Sequence, residues 1–210
     1  MGKLTEGLVN NGKKIGLRLN VPKTKYMMVG PTLEQQDFIK VDGEEIERVD
    51  NFVYLGSCLC EDGNVEKDVK IRIGKGGATF QKMKNVWRAK KLSLKLKLRI
   101  YNAIILPTLL YASETWKVYK STGKRLDAFH RKCLRSILRI TWRDKVTNEV
   151  VMKRTGAQEV QTIMKVRRMR YLGHVMRMDP QRLTHTVSEW NPIGGKISQM
   201  EKRVLAASHA

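Results

Sequence analysis

The side chains best suited to chemistry in this chain are cations set out at helical spacing. In RLDAFHRKCLRSILRI, Arg125–Ile140, a helix gathers Leu126, Phe129, Cys133, Leu134, Ile137 and Leu138 on one side. Arg125, Arg131, Lys132, Arg135 and Arg139 take the opposite side. Further along, Arg167, Arg170, His174 and Arg177 fall at offsets 0, 3, 7 and 10 and form a second basic stripe. Cations on a rigid face contact phosphate, and such contacts position a nucleic-acid backbone without reading its sequence. If about six phosphates are engaged, log affinity falls against log salt with a slope of roughly −5 on duplex DNA.

The charge balance points the same way. Net charge is +21. Residues 1–66 hold 8 basic and 11 acidic side chains, whereas residues 67–210 hold 33 basic and 9 acidic. An excess of this size works against a compact fold by self-repulsion unless a polyanion or a partner domain lies near, and nucleic acid is the commonest such partner.

Other chemistries find less support. Cys58, Cys60, His130 and Cys133 could be imagined as a zinc site, but structural zinc favours close pairs about two to four residues apart. Cys58 and Cys60 are separated by one residue on an expected strand, while His130 and Cys133 fall in the apolar arc of their helix. They read as core, and no metal is expected in this chain. GKGGAT, Gly74–Thr79, lacks the spacing and ending of a phosphate-binding loop. The histidines have no local signature of a Ser/His/Asp triad. Asp42, Glu44 and Glu45 sit at an expected hairpin turn. Three cysteines make no secreted disulfide framework. The longest apolar run, Ala103–Tyr111, falls short of the roughly 20 residues of a membrane span and contains Pro107. With no signal-peptide pattern after Met1, the expected location is intracellular and reducing, with no membrane partner.

These groups need elements to hold them. Residues 3–12 suit a short helix through Leu4, Leu8 and Val9. Tyr26–Gly30, Asp37–Val41, Glu44–Val49 and Phe52–Cys60 read as strands, with Asp42–Gly43 as a two-residue turn. After Asn64 the period lengthens, and Val65, Val69, Ile73, Phe80, Met83 and Trp87 mark a helix stripe. Gly74, Gly76 and Gly77 interrupt it at a cost of about 1 kcal/mol each, which predicts a kink or break. Ser93 reads as the N-cap of a helix whose Ile100, Tyr101, Ile104, Ile105 and Leu109 pack on Arg125–Ile140, with Pro107 bending or ending it. Thr147 caps a helix that stops at Gly156. A last helix, about Glu159–Met178, buries Ile163, Val166, Met169, Leu172 and Met176. The pattern is α+β: a small antiparallel β unit to residue 62, a helical bundle over 63–180, and a loosely ordered tail over 181–210.

Five segments, in order, resemble the reverse transcriptases of non-LTR (LINE-type) retrotransposons. IGLRLNVPKTKYMMVG, Ile15–Gly30, is similar to the segment after the catalytic aspartates of the palm, where G-L-x-x-N-x-x-K-T leads into a strand. FVYLGSCLCEDGN, Phe52–Asn64, resembles the Y-L-G hairpin called the primer grip. LKLRIYNAIILPTLLYASETW, Leu96–Trp116, and RLDAFHRKCLRSIL, Arg125–Leu138, are similar to helices of the thumb and its extension. RRMRYLGHVMRM, Arg167–Met178, resembles an L-G-H-x-x-R block further downstream.

The resemblance implies a palm remnant followed by a thumb, and an RNA template paired to a DNA primer as substrate. It implies Lys23 on the nucleotide side of the palm and Tyr54, Leu55 and Gly56 at a primer-grip tip. The basic stripes themselves are the expected nucleic-acid contacts, through Arg125, Lys132, Arg135, Arg139, Arg167, Arg170, His174 and Arg177, and the expected location is nuclear. Polymerisation in this family needs aspartates holding two magnesium ions, and the sequence has no Asp-Asp pair. The chain therefore reads as a truncated copy or fragment, not an enzyme by itself, whose partners would be nucleic acid and the missing upstream palm and fingers. WNPIGGK, Trp190–Lys196, is similar to a basic tail of related elements, and SQMEKRVLAASHA reads as a frameshifted end. The alternative reading is a non-enzymatic helical module, derived from such an element, that binds protein or nucleic acid generally.

Overall fold

The switch from two-residue to helical periodicity at Asn64 marks where short strands give way to helices. The computed structural model describes residues 2–28, 39–41, 43–117 and 119–189. The chain forms two units, Met1–Met164 and Lys165–Ala210.

Among the described residues the first unit opens with α1 (Gly2–Lys14), a 3-10 turn (Val21–Lys23) and six short strands: β1 (Lys25–Tyr26), β2 (Lys40–Val41), β3 (Glu44–Glu45), β4 (Glu47–Arg48), β5 (Asn51–Tyr54) and β6 (Ser57–Cys60). They make three two-stranded ladders. β2–β3 and β5–β6 are antiparallel, while β1–β4 is parallel. Phe52–Cys60 is thus a hairpin rather than one strand, because Leu55 and Gly56 take positive φ and reverse the chain. Gly43 also has positive φ, as a two-residue turn requires. Asp42 and the parts of two expected strands at 29–30 and 37–38 lie outside the described residues. Val9, Val41 and Ile46 form a small core with Leu19, Val21, Tyr26 and Ile39 against it. On α1 only Val9 joins it; Leu4 and Leu8 are exposed.

The larger core begins with α2 (Glu66–Lys82) and α3 (Lys84–Arg88). α2 runs unbroken through its glycines, contrary to the propensity argument. A Cβ on Gly76 would lie 3.4 Å from Phe129 Cε1, and one on Gly77 3.7 Å from Phe129 Cε2. These glycines let the Phe129 ring seat on the α2 backbone, and packing outweighs a propensity cost of about 1 kcal/mol each. The helix ends instead at Met83, where Trp87 Nε1 donates to the Phe80 carbonyl at 2.8 Å and its ring stacks on Phe80 at 4.9 Å.

Ser93 caps α4 (Leu94–Ile100), its Oγ accepting from the Leu96 amide at 3.3 Å. Pro107 does not end the helical path. A π turn over Tyr101–Ile105 precedes it, with the Leu106 amide donating to the Tyr101 carbonyl, and α5 (Leu106–Leu109) continues. Widening the helix accommodates the missing proline N–H and the bulk of the ring. Tyr101, Ile105 and Leu109 are fully buried, but Ile104 faces out.

α6 (Lys120–Leu138) buries Leu126, Cys133, Leu134 and Ile137, with Phe129 and Leu138 partly covered. Thr147 Oγ1 accepts from the Val150 amide to start α7 (Asn148–Thr155), and Gly156 ends it with positive φ. α8 (Val160–Met176) begins in the first unit, where Val160 and Met164 join the core. Its apolar residues differ from the expected stripe. Val175 is buried, whereas Val166, Met169 and Met176 are exposed.

The second unit holds the rest of α8 and α9 (Leu183–Glu189), a helix where the sequence predicts loose order. A turn at Asp179 joins them, its carboxylate accepting from the Gln181 amide at 2.9 Å. Trp190–Lys196 and the segment after it lie outside the described residues. No helix among the described residues is long and apolar enough to cross a membrane. The architecture is α+β, with short ladders and a predominantly helical remainder.

Candidate nucleic-acid interface

The Y-L-G hairpin is built on an unusual turn. Tyr54 pairs with Ser57 across a two-residue reversal in which both Leu55 (φ 46°) and Gly56 (φ 81°) are left-handed. Glycine takes this conformation freely, whereas a leucine there costs about 1–2 kcal/mol. The surroundings hold it in place. Tyr111 Oη donates to the Leu55 carbonyl at 3.1 Å, and Arg72 donates to the Gly56 carbonyl. The Arg72 guanidinium also lies 4.5 Å over the Tyr111 ring. Tyr54 and Leu55 themselves are exposed, Leu55 at 75%.

Beneath the tip sits Asp68, on the first turn of α2 and 1% exposed. Its carboxylate accepts from Ser57 Oγ at 2.8 Å, the Cys58 amide at 3.0 Å and Trp116 Nε1 at 3.0 Å, with Arg72 Nε 3.8 Å away. One carboxylate thus ties β6, α2 and the chain after α5 together. Sequence reasoning missed Asp68, Arg72, Tyr111 and Trp116. An acidic residue in a first turn usually answers the helix dipole. The one local signal was the Asp68/Arg72 spacing of four residues.

Lys23 is exposed on the 3-10 turn, and its neighbours in N-x-x-K-T build that turn. Asn20 Oδ1 accepts from the Lys23 amide at 3.1 Å, and Thr24 Oγ1 donates to the Asn20 carbonyl at 2.9 Å.

The cations of α6 have varied surroundings. Arg125 is half exposed, 3.9 Å from Glu66 Oε2, and Lys132 is exposed. Arg135 Nη2 donates to the Val146 carbonyl at 2.7 Å and Asn148 Oδ1 at 2.9 Å, fixing the loop before α7. Arg139 adopts positive φ as the C-cap and donates to the Arg88 carbonyl. Arg131 pairs with Glu159 at 2.8 Å. On α8, Arg170 and His174 are exposed, Arg167 is half-buried, and Arg177 is exposed just beyond the helix end.

α6 also starts α8. Asp127 accepts from the Val160 amide at 2.7 Å and from Gln161 Nε2 at 2.6 Å, an N-cap supplied from another helix. Gly123 makes room for this, since a Cβ there would meet Gln161 Cδ at 2.7 Å. Burial raises the Glu159 carboxyl above its ordinary value, with Arg131 opposing and Asp127 adding to the rise.

Among the described residues, no three His, Cys, Asp or Glu side chains converge on a point where a metal could bind. Glu45 pairs with Lys40 at 3.2 Å and Glu44 is exposed. His130 and Cys133 are core residues. Tyr101 Oη lies 2.8 Å from His130 Nδ1, burial holds His130 down to about 4, and burial pushes the Cys133 thiol up to about 12. All three cysteines are free thiols.

No family model matches the chain, and no solved structure matches it. Over 196 residues it is 24% identical to an uncharacterized transposon-derived protein of Caenorhabditis elegans, spanning 90% of this chain and 70% of that protein. This similarity supports a transposable-element origin for the chain.

Proposed function

We propose that the chain is the palm-end and thumb portion of a non-LTR retrotransposon reverse transcriptase, and that it grips a duplex of RNA template and DNA primer. The observation that carries this reading is the hairpin tip. Its two carbonyls are held by Tyr111 and Arg72, leaving Tyr54 and Leu55 outward on a fixed turn. A strained turn held by its surroundings is a device for presenting a surface, and here it coincides with the Y-L-G of the primer-grip resemblance. The order of five family-like segments and the similarity to a transposon-derived protein support the same origin.

The catalytic aspartates and their magnesium ions belong, on this reading, to a palm outside these residues. The chain's part is to hold the duplex, and a nuclear location suits a DNA primer. Photo-crosslinking from a benzophenone side chain at position 55 tests the reading. Labelling of the DNA strand near its 3′ end in an RNA–DNA hybrid is expected; labelling spread evenly over both strands, or none, contradicts it.

A second reading, a helical module for protein or nucleic-acid partners generally, draws on the exposed apolar side chains Phe52, Val53 and Leu59 of the same hairpin. It predicts no preference for a hybrid over single strands.

A further inference from the structure

Residues 69–113 contain 11 Lys and Arg side chains and not one Asp or Glu. Part of that run lines a cleft of about 650 Å³ between α3 and the C-terminal end of α6. Lys84, Arg88, Lys90 and Arg139 line it, and among the described residues no carboxylate does. Its floor is apolar, formed by Phe80 and the buried Trp87. Charges of one sign around a concave surface with low-dielectric walls focus the field and raise the local concentration of counter-ions.

We propose that this cleft is a binding site for the phosphodiester backbone of a nucleic acid, with Lys84, Arg88 and Lys90 as the contacting cations and Arg139 as the group that shapes its rim. The site deepens the function proposed above and rests on it.

Three observations carry the assignment. First, Lys84, Arg88 and Lys90 are exposed, and their side chains make no ion pair or hydrogen bond among the described residues, whereas Arg125, Arg131 and Arg135 are engaged within the fold. Second, helix dipoles explain only part of the cluster. Arg88 and Arg139 stand at the C-terminal ends of α3 and α6, where a cation is favoured. Lys84 follows the C-cap of α2, where a cation is also favoured, but Lys90 lies beyond the end of α3 and answers no helix dipole. Third, a neighbouring carboxylate is already committed. Asp144 accepts from the Thr141 amide at 2.6 Å and hydroxyl at 2.8 Å, behind the Thr141 that borders the cleft.

Trp87 is 3% exposed, so its ring is closed to base stacking. The ligand is therefore the backbone, held without regard to sequence. Arg139 donates to the Arg88 carbonyl and is left intact in the test.

The test compares the full chain with Lys84→Gln/Arg88→Gln/Lys90→Gln for binding to a short RNA–DNA hybrid across a salt series. Each lost phosphate contact lowers the magnitude of the log–log slope by about 0.9, so the triple variant is expected to lose roughly 2 to 3 and to bind on the order of 100-fold more weakly at about 0.1 M salt. A charge-preserving variant, Lys84→Arg/Arg88→Lys/Lys90→Arg, should keep most of both. Should the triple variant misfold by circular dichroism, each single substitution still reports its own loss of about 0.9.

Unchanged slope and affinity in the triple variant overturn the site while leaving duplex binding standing. Equal wild-type binding to hybrid and single strands sinks the hybrid-specific function, yet the slope comparison still decides the cleft. Absence of any wild-type binding overturns both. Displacement of the hybrid by inorganic phosphate, beyond chloride at matched ionic strength, reassigns the cleft to free phosphate and overturns the backbone assignment.

Discussion

Replacing Asp68 with alanine should release the hairpin. The carboxylate is almost fully buried and is the acceptor for the Cys58 amide and the Trp116 indole N–H, both near 3.0 Å. Alanine orphans these two donors at a cost of about 1–3 kcal/mol each. The Ser57 hydroxyl can rotate to another partner, so its loss is small. Arg72 loses its carboxylate neighbour at 3.8 Å, and stranding one member of a buried pair costs about 3–5 kcal/mol. These penalties overlap, because water entering the space would serve several groups and Arg72 keeps the Gly56 carbonyl. The expected destabilisation is about 4 kcal/mol, a large share of the 5–15 kcal/mol by which domains are typically stable. Asp68→Asn keeps an acceptor for Cys58 but presents an amide to one side, and should cost about 2 kcal/mol. Combining it with Trp116→Phe should cost less than the two singles together, because the orphaned indole N–H is then gone. Urea unfolding gives the free energies, and hydrogen exchange at the Cys58 amide reports the local contact. A loss below about 1 kcal/mol for Asp68→Ala, with Cys58 exchange unchanged, would refute the idea that this carboxylate holds the hairpin.

Other consequences follow from single positions. Gly74 has nothing within 4 Å of an added Cβ, so Gly74→Ala should stabilise α2 by about 0.5–1 kcal/mol in a denaturant melt. Gly123→Ala should destabilise by about 1–3 kcal/mol, since its Cβ would displace Gln161 from Asp127. Leu55→Gly should relieve the left-handed strain and raise stability by up to about 1 kcal/mol, measured by the same melt. His130 has a folded value of about 4 against 6.5 for a free imidazole. The unfolded chain therefore takes up the proton first: this contribution is complete above pH 6.5, falls as pH drops from about 6.5 to 4, and totals on the order of 3 kcal/mol. His130→Asn should flatten that part of the stability–pH curve.

What the sequence made legible was local. The caps at Ser93 and Thr147 and the stop at Gly156 rest on side chains within a few residues, and each appears where its chemistry puts it. The apolar faces of α2 and α6 were legible because burial repeats every three to four residues. What stayed hidden depends on partners distant in sequence. The α2 glycines read as a weak point until Phe129, more than 50 residues on, supplies the packing that uses them. Arg135 reads as a solvent-facing cation, yet its partners are the Val146 carbonyl and Asn148. Beyond its spacing of four from Arg72, Asp68 carried no signal of being a hub, since Ser57 and Trp116 flank it from opposite directions along the chain. The α8 stripe was misread because an all-round mixture of apolar and basic residues leaves its buried side undetermined by period alone.

The central claim is that this chain clasps a hybrid helix by its backbone. The direct measurement is equilibrium binding of the full chain to an RNA–DNA hybrid, and to its two single strands of equal length, across a salt series. The account predicts tighter binding to the hybrid at every salt concentration, with a log–log slope of roughly −5 for about six phosphates. Equal affinity for hybrid and single strands, or binding that stays flat as salt rises, would contradict it.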